Sequence, residues 1–196
     1  MPPSPKITKE MITSAGFNIV REEGEEALNV RKAAARLNCS TQPVMYHFRT
    51  VEEMKMEIYK RADVFHSLYI TEAVPDIDDP VLSRAIRYVM FGAKEKNLFK
   101  FLFKSDKFES NQFEELSGSE GTSAMYNMLC EREDLSMEQA KDVFIGLLLK
   151  AHGFASLLAN DSLKYDEEYI VRMLKLDYEG SLVYYGLRRF RKMRQK

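Results

Sequence analysis

Residues 28–51 read LNVRKAAARLNCSTQPVMYHFRTV, and this stretch decides the fold. Asn29 and Ser40 can each cap the first turn of a helix, because their side chains accept hydrogen bonds from exposed backbone amides. Asn38 can adopt the left-handed conformation that ends the first of these helices. Two short helices joined by a tight turn have the length and spacing of a helix-turn-helix, whose second helix can enter the major groove of DNA.

The two predicted short helices cover residues 30–37 and about 41–48, and a longer helix over 7–23 precedes them. The apolar residues of the longer helix fall on one face. Gly24 follows it as a residue that tolerates left-handed backbone. Six apolar side chains of the two short helices can close a small core over that face. They are Val30, Ala33, Ala34, Leu37, Val44 and Phe48.

The same stretch differs from the rest of the chain in charge. The whole chain holds 29 basic and 30 acidic residues, so its net charge of −1 does not indicate nucleic-acid binding. Residues 28–51, however, include the four basic residues Arg31, Lys32, Arg36 and Arg49 and no Asp or Glu. A surface that faces phosphates needs that local exclusion of acids.

With the apolar side chains turned inward, the polar side chains of the second short helix face outward. Glutamine can bridge N6 and N7 of adenine, threonine can touch a thymine methyl, and tyrosine or histidine can reach a phosphate or a base edge. Basic and hydroxyl residues beside that helix can contact the DNA backbone. The predicted DNA contacts are Arg31, Lys32, Thr41, Gln42, Tyr46, His47, Arg49, Thr50 and Lys55.

The remainder of the chain is predicted to be all-α. Apolar residues recur at i, i+3 and i+4, and no convincing alternation of β-branched residues is present. Thr50 and Glu53 form a capping box that begins a fourth helix over about 50–72. Capping residues at Ser136 and Asp166 precede two long helices at the end of the chain. The other predicted segments are helices over about 80–95, 97–108 and 122–133, with a loop over 109–121.

Residues 7–54 resemble the N-terminal domain of the tetracycline-repressor-type (TetR/AcrR) family of transcriptional regulators. The resemblance covers about the first quarter of the chain, and its combined motif is fairly specific. It rests on Ala15, Phe17, Glu23-Gly24, Ala27-Leu28-Asn29-Val30-Arg31, Ala34, Leu37-Asn38-Cys39-Ser40, His47-Phe48 and Glu52-Glu53-Met54. The resemblance implies a three-helix DNA-binding domain that a fourth helix joins to an α-helical ligand-binding and dimerisation domain.

Two positions depart from the family pattern. Met45 stands where the family often has a tyrosine, and Val51 stands where it often has a lysine. The family uses both of those residues on phosphates. We expect Tyr46, Arg49 and Lys55 to replace these two contacts.

The segment 74–80, with two prolines and three aspartates, is the clearest break in the helical pattern. We predict a helix-turn-helix DNA-binding domain over residues 1–55, which the helix over about 50–72 connects to the second domain. The second domain covers residues 73–196, and the resemblance implies that it binds an effector and dimerises.

The last two helices carry apolar stripes that are typical of helix-helix seams. Two such helices from each of two chains would form a four-helix bundle, and the resemblance implies the same homodimer. Each head would then read one half-site of a near-palindromic operator. The stripe of the last helix is Tyr169, Met173, Leu176, Gly180, Val183, Leu187 and Phe190, and that of the helix before it is Ala140, Val143, Phe144, Leu147, Ala151, Phe154 and Leu158.

The middle of the chain is rich in aromatic and methionine residues. Such side chains can line an apolar pocket for an unknown small-molecule effector, of the kind that the family uses. Ordinary core packing is at least as good an explanation for each of them. The candidate pocket residues are Tyr88, Phe91, Phe103, Met125 and Phe154.

These patterns predict a sequence-specific DNA-binding regulator, a repressor that a small-molecule effector releases. The alternative is a helical adaptor that uses the head for protein contacts. We expect no enzyme, cofactor or metal site, because no catalytic set, phosphate loop or ligand cluster is visible. The N-terminus lacks a signal sequence and the longest apolar run, 143–149, is broken by Lys150, so we expect a cytoplasmic protein without a membrane segment.

Overall fold

A computed structural model describes residues 7–103 and 120–193. In these ranges the chain forms α-helices, one 3₁₀ turn and no strand, which confirms the predicted all-α fold class. The predicted loop over 109–121 and the end of the predicted helix over 97–108 lie largely outside the described residues. The helices are α1 Lys9–Glu23, α2 Val30–Arg36, α3 Thr41–His47, α4 Val51–Thr71, α5 Pro80–Lys94, α6 Lys96–Leu102, α7 Glu120–Glu133, α8 Met137–Ala159 and α9 Glu167–Met193.

The described residues form two compact units. The first, which we call the head, comprises residues 7–68 and 95–103. The second, which we call the body, comprises residues 69–94 and 120–193. The head therefore contains α6, although α6 follows α5 in the sequence. The predicted limits of the functional domains stay predictions.

Local capping defines α2, as the sequence predicts, whereas the predicted side-chain cap of α3 does not form among the described residues. Asn29 accepts a hydrogen bond from the backbone N–H of Lys32 at 2.9 Å and so caps α2. Asn38 has a φ of 51° and Gly24 has a φ of 89°, so both adopt the positive φ that was expected of them. Ser40 occupies the N-cap of α3 with extended backbone, but within the described chain its side chain makes no capping hydrogen bond.

Side chains also cap the starts of α4 and α8. Thr50 Oγ1 accepts a hydrogen bond from the N–H of Glu53 at 3.1 Å, and the Glu53 carboxylate accepts one from the N–H of Arg49 at 2.8 Å. Ser136 and Gln139 form the reciprocal capping box that the sequence predicts before α8. Both helices therefore begin at residues that the sequence marks.

The core of the head lies under α1, whose buried face carries Ile12, Ile19 and Val20. Gly16 lies on the same face, and a Cβ atom there would overlap the side chain of Ile58 on α4. Glycine therefore permits the close approach of these two helices. Of the six residues predicted to form the core over α1, four are buried and two are half-buried. The buried ones are Ala33, Ala34, Val44 and Phe48, and the half-buried ones are Val30 and Leu37.

Polar contacts hold α6 against α1 inside the head. The guanidinium of Arg21 forms two hydrogen bonds with the Glu95 carboxylate, and one of them, from Nε to Oε2, is 2.8 Å long. Asn97 Nδ2 donates to the backbone oxygen of Arg21 at 3.1 Å. Leu98 and Phe99 on α6 are buried. The head thus combines the helix-turn-helix with α6, a helix that is distant in sequence and packs against α1.

The core of the body lies between α5 and α8. A Cβ atom at Gly92 would come within 2.7 Å of Ala155 Cβ, so the two helices touch at a position that admits no side chain. By length and composition, α8 is the one described helix that is apolar enough to cross a membrane. Its buried residues Leu147, Ala151 and Leu158 lie in the body core, as expected of the central helix of a folded domain.

Asp79 joins three helices of the body. Its Oδ1 accepts hydrogen bonds from the N–H groups of Val81 and Leu82, each at 2.9 Å, at the start of α5. Its Oδ2 accepts one from the hydroxyl of Tyr178 on α9 at 3.0 Å and lies 3.5 Å from the Arg132 guanidinium of α7. Burial, and then the Asp79 charge, raise the pKa of Tyr178, so this phenol stays protonated and donates.

Candidate nucleic-acid interface

The helix α3 has one buried side and one exposed side. Val44 and Phe48, one turn apart, are fully buried and attach the helix to the head. Thr41, Gln42 and Tyr46 are exposed, and the Tyr46 side chain is 81% exposed. The structure therefore brings these three predicted DNA contacts to one accessible helix face.

His47 has an internal partner. Its Nε2 lies 3.0 Å from the backbone oxygen of Ile7, just before α1, and its ring is half-buried. The sequence pattern predicted an outward-facing imidazole, because this prediction considered only the positions along α3. It did not include the residues before α1, one of which contacts this ring. The ring of Tyr46 packs edge-on against His47, with the centroids 5.2 Å apart. His47 thus also supports the exposed tyrosine.

Two of the predicted basic contacts have accessible guanidinium groups. Arg31 at the start of α2 and Arg49 after α3 are exposed, and within the described residues neither side chain forms an ion pair or hydrogen bond. Thr50, next to Arg49, is exposed as well, although its hydroxyl caps α4. These three residues precede or follow α3 in the sequence and are accessible to solvent.

The other basic side chains of this region pair with acids. Lys32 Nζ forms an ion pair with the Glu23 carboxylate. The Arg36 guanidinium lies 2.7 Å from Glu22 and 3.5 Å from Glu23. Its hydrogen bond lowers the pKa of Glu22, so this carboxylate is ionised at neutral pH. The acids come from the end of α1, and the stretch that lacks acids in sequence therefore has acids beside it in space.

Lys55 on α4 is in the same situation. Its Nζ lies 3.2 Å from the carboxylate of Glu25 in the 3₁₀ turn after α1. Sequence reasoning missed Glu22, Glu23 and Glu25 as part of the interface. The signal that could have found them is the run EEGEE at 22–26, which directly precedes the basic stretch.

The body has an exposed apolar face of its own, formed by α8 and α9. On α9, Leu176 is 64% exposed and Val183 is 59% exposed. Gly180 lies between them, and a Cβ there would meet no atom within 4 Å in the described chain. Tyr169 is exposed and Met173 is half-buried, whereas the side chains of Leu187 and Phe190 lie outside the described residues. We call this surface the α8–α9 face.

The predicted stripe on α8 is not part of that face, apart from Val143, which lines a groove there. Its members Ala140, Val143, Phe144, Leu147, Ala151 and Leu158 are buried within the chain, and Phe154 is half-buried. They are buried because other helices of the body pack on α8, among them α5 and α7, whose Tyr126 ring lies 5.4 Å from the Phe144 ring, and periodicity along α8 does not show these neighbours. Beyond the first turn of α8, its exposed apolar residues lie on the other side and are Gly146, Leu149, Gly153 and Leu157.

A groove of about 490 Å³ runs between α8 and α9 on this face. Lys150 and Asp177 pair across it at 3.1 Å, and Tyr185 donates to Asp142 at 2.6 Å. The groove is lined by Asp142, Val143, Lys150, Leu176, Asp177, Gly180, Ser181, Tyr184 and Tyr185. The face thus combines projecting leucines with a groove large enough for several side chains.

The candidate effector residues are divided between the two units. Tyr88 and Phe91 on α5 and Met125 on α7 are buried in the body, and Phe154 on α8 is half-buried. Phe103 belongs to the head, where its ring lies 4.8 Å from that of Phe99.

One polar contact accompanies these apolar residues. The Tyr88 hydroxyl lies 2.9 Å from His152 Nδ1. Burial raises the pKa of Tyr88 and lowers that of His152, so both groups are neutral at pH 7. Within the described residues, no group of three or more His, Cys, Asp or Glu side chains could hold a metal ion.

Solved transcriptional regulators have a similar fold. A transcriptional regulator from Rhodococcus sp. RHA1 is 17% identical, with 90% of this chain and 96% of that one covered and a TM-score of 0.60. A TetR-like transcriptional regulator from Rhodococcus sp. RHA1 is 12% identical, with 92% and 99% covered and a TM-score of 0.62. The multidrug-binding protein EbrR, solved with imidazole, is 18% identical, with 86% and 88% covered and a TM-score of 0.56.

No protein-family model and no curated protein matches the chain. At these identities, the likeness to solved structures establishes the fold. The chain has the fold of TetR-like transcriptional regulators over nine-tenths of its length, as the resemblance in its first quarter implies.

Proposed function

We propose that this chain is a sequence-specific DNA-binding transcriptional regulator of the TetR/AcrR type, a repressor that a small-molecule effector releases from its operator. The observation that carries the proposal is α3. Two buried side chains hold this helix, and it presents Thr41, Gln42 and Tyr46 to solvent. A short helix presented in this way by a helix-turn-helix is suited to the major groove.

In this proposal the residues of the head divide the work between bases and phosphates. Gln42 reads an adenine edge and Thr41 a neighbouring base, while Tyr46 reaches a phosphate or base edge. Arg31, Arg49 and Thr50 contact phosphates, and these fix the position of α3 without reading sequence. Lys32, His47 and Lys55 are secondary contacts, since each has an internal partner. The DNA-binding domain comprises residues 1–55.

We further propose that the chain is a homodimer joined through the α8–α9 face. A second copy is the occupant that fits, because exposed leucine and valine side chains on this face alternate with glycines and with a groove of about 490 Å³. Helices from two chains can interdigitate on such a surface as a four-helix bundle. Two heads related by a twofold axis would read the half-sites of a near-palindromic operator.

The effector would bind in the domain over 73–196, among aromatic and methionine side chains such as Tyr88, Met125 and Phe154. The neighbour EbrR is described as a multidrug-binding protein, which supports a small-molecule ligand for the same fold. Effector binding would lower the affinity of the heads for the operator, a coupling between two distinct sites. Such a regulator acts in the cytoplasm, without catalysis, a cofactor or a membrane segment.

Selection of bound duplexes from a random pool tests the proposal. We expect enrichment of a near-palindrome whose half-sites lie about one helical turn, roughly 10 base pairs, apart. Affinity for the enriched site should fall steeply with salt, since phosphate contacts release counterions. Absence of enrichment together with salt-independent binding would instead support a helical adaptor that binds proteins through the head.

A further inference from the structure

Four acidic residues surround the end of α1 at positions 22, 23, 25 and 26. Negative charge is unfavourable at the C-terminal end of a helix, where the helix dipole is itself negative. Glu22 and Glu23 therefore do not stabilise the helix that carries them. Both are exposed, so they do not contribute to packing either.

The ion pairs of these acids indicate what they do. Glu23 pairs with both Lys32 and Arg36, and Glu22 also pairs with Arg36. Among the five basic residues at positions 31–55 that flank α3, Lys32, Arg36 and Lys55 pair with acids from this segment. Arg31 and Arg49 do not. The basic residues that flank α3 in the sequence are thus of two kinds, those paired with an acid and those that are accessible.

We propose that Glu23 is an intramolecular competitor for DNA phosphate, which holds Lys32 and Arg36 in ion pairs and so limits the affinity of the head for DNA of any sequence. This inference rests on the proposed DNA-binding function. Each paired cation contributes less to phosphate binding, and the carboxylate itself repels phosphates nearby. Contacts from α3 to bases then make up a larger share of the total binding free energy, whereas the ratio of specific to non-specific affinity is unchanged, because the phosphate contacts are common to both.

The exposure of these ion pairs sets the size of the effect. Lys32 and Glu23 are both partly exposed to water, and exposed ion pairs are individually weak. Glu23 should therefore reduce non-specific affinity several-fold without abolishing it. Salt weakens both the ion pairs of Glu23 and the contacts of the same cations with phosphate, since it screens all of these charges.

Glu23→Gln tests the proposal, and Glu57→Gln is a matched control. Each substitution removes one charge of the head and one carboxylate that pairs with two cations, and the partners of Glu57 are Lys9 and Lys60, outside the predicted DNA contacts. Fluorescence anisotropy with a random-sequence 30-base-pair duplex, from 50 to 200 mM KCl, measures affinity and its salt dependence. Circular dichroism checks that both variants remain folded.

We expect E23Q to bind the random duplex about 2- to 5-fold more tightly than the wild type at 50 mM KCl, because exposed pairs are weak competitors. The slope of log affinity against log salt should steepen by about one, because Lys32 is released whereas Arg36 remains paired with Glu22. E57Q should show neither change. Adding Lys32→Ala to E23Q should remove most of the gain in affinity, since Lys32 is the cation that E23Q releases.

Equal behaviour of E23Q and E57Q would overturn the inference, since net charge alone would then explain any change. An E23Q/K32A protein that keeps the full gain would overturn it as well. Failure of the proposed function has a different signature, which is that the wild-type chain shows no salt-dependent affinity for any duplex. If no variant binds, both proposals fall together.

Discussion

The α3 face of the head and the α8–α9 face of the body are both exposed, but their chemistry is opposite. The α3 face is short and polar, and it ends in groups that donate and accept hydrogen bonds. The α8–α9 face is long and apolar, with leucines such as Leu176 mostly in solvent. A face that distinguishes DNA sequences by their base edges needs polar groups. A face that binds one constant protein partner can instead be stabilised by the apolar area that it buries. The experiments below test that contrast.

Leu176→Asp should have the largest effect. A charge on the α8–α9 face would have to be buried unpaired in a dimer, so we expect a monomer in light scattering. Operator affinity should fall about a hundredfold or more, because two linked heads bind with high effective concentration. Leu68→Asp is the control, since Leu68 is 65% exposed and Leu176 is 64% exposed. A dimeric L176D protein with full affinity would show that this face does not join the subunits.

Gln42→Ala should weaken binding to the selected operator by about 2 kcal/mol, the usual discrimination of one bidentate base contact. Affinity for random duplex should change little. Met45→Ala, a truncation of another exposed side chain on α3, is the control and should spare both. Equal losses of Gln42→Ala on operator and random DNA would mean that this side chain positions the protein and does not read sequence.

Val44→Ala should destabilise the head by about 1.5 kcal/mol, because it removes two buried methyl groups from one of the two anchors of α3. Urea denaturation measures the loss. Specific affinity at 25 °C should fall with it, as α3 is less firmly held. Unchanged stability would indicate that Phe48 alone attaches the helix.

The smallest effect concerns His152 on α8. Burial lowers the pKa of His152, so the unfolded chain binds its proton first as pH falls. His152 therefore contributes to stability above its unfolded pKa of about 6.5 and loses this contribution as pH drops toward 5. Melting temperatures of the wild type and of His152→Gln, compared between pH 7 and 5, should converge. A gap that stays constant with pH would show that the imidazole does not titrate in this way.

The sequence predicts best what neighbouring residues decide. Asn29, Asn38 and the Ser136 capping box occupy their expected roles, because caps and turns depend on residues a few positions apart. The ion pair of Lys32 with Glu23 escaped prediction, since it depends on how α2 packs against the end of α1. A contact made by folding is not visible in charge counted along the chain.

Periodicity has a related limit, which the α8 stripe illustrates. The stripe through Leu147 and Ala151 is real, yet a helical repeat shows only that one side is covered and not which neighbour covers it. The neighbours are α5 and α7 within the same chain. On α9, the predicted positions Leu176 and Val183 are exposed, which leaves them available to another molecule. The effector residues stay predictions, since burial alone does not distinguish a pocket lining from core.

The return of α6 to the head has a consequence for how this protein is made. Residues 95–103 complete a unit that begins at residue 7, with the chain of α5 synthesised in between. During translation, α1 to α4 emerge from the ribosome before the partners of Arg21 on α6 exist. The head can therefore complete its fold only after about thirty further residues have been synthesised. Until then, the apolar surface that Leu98 covers in the folded head is exposed and can bind chaperones.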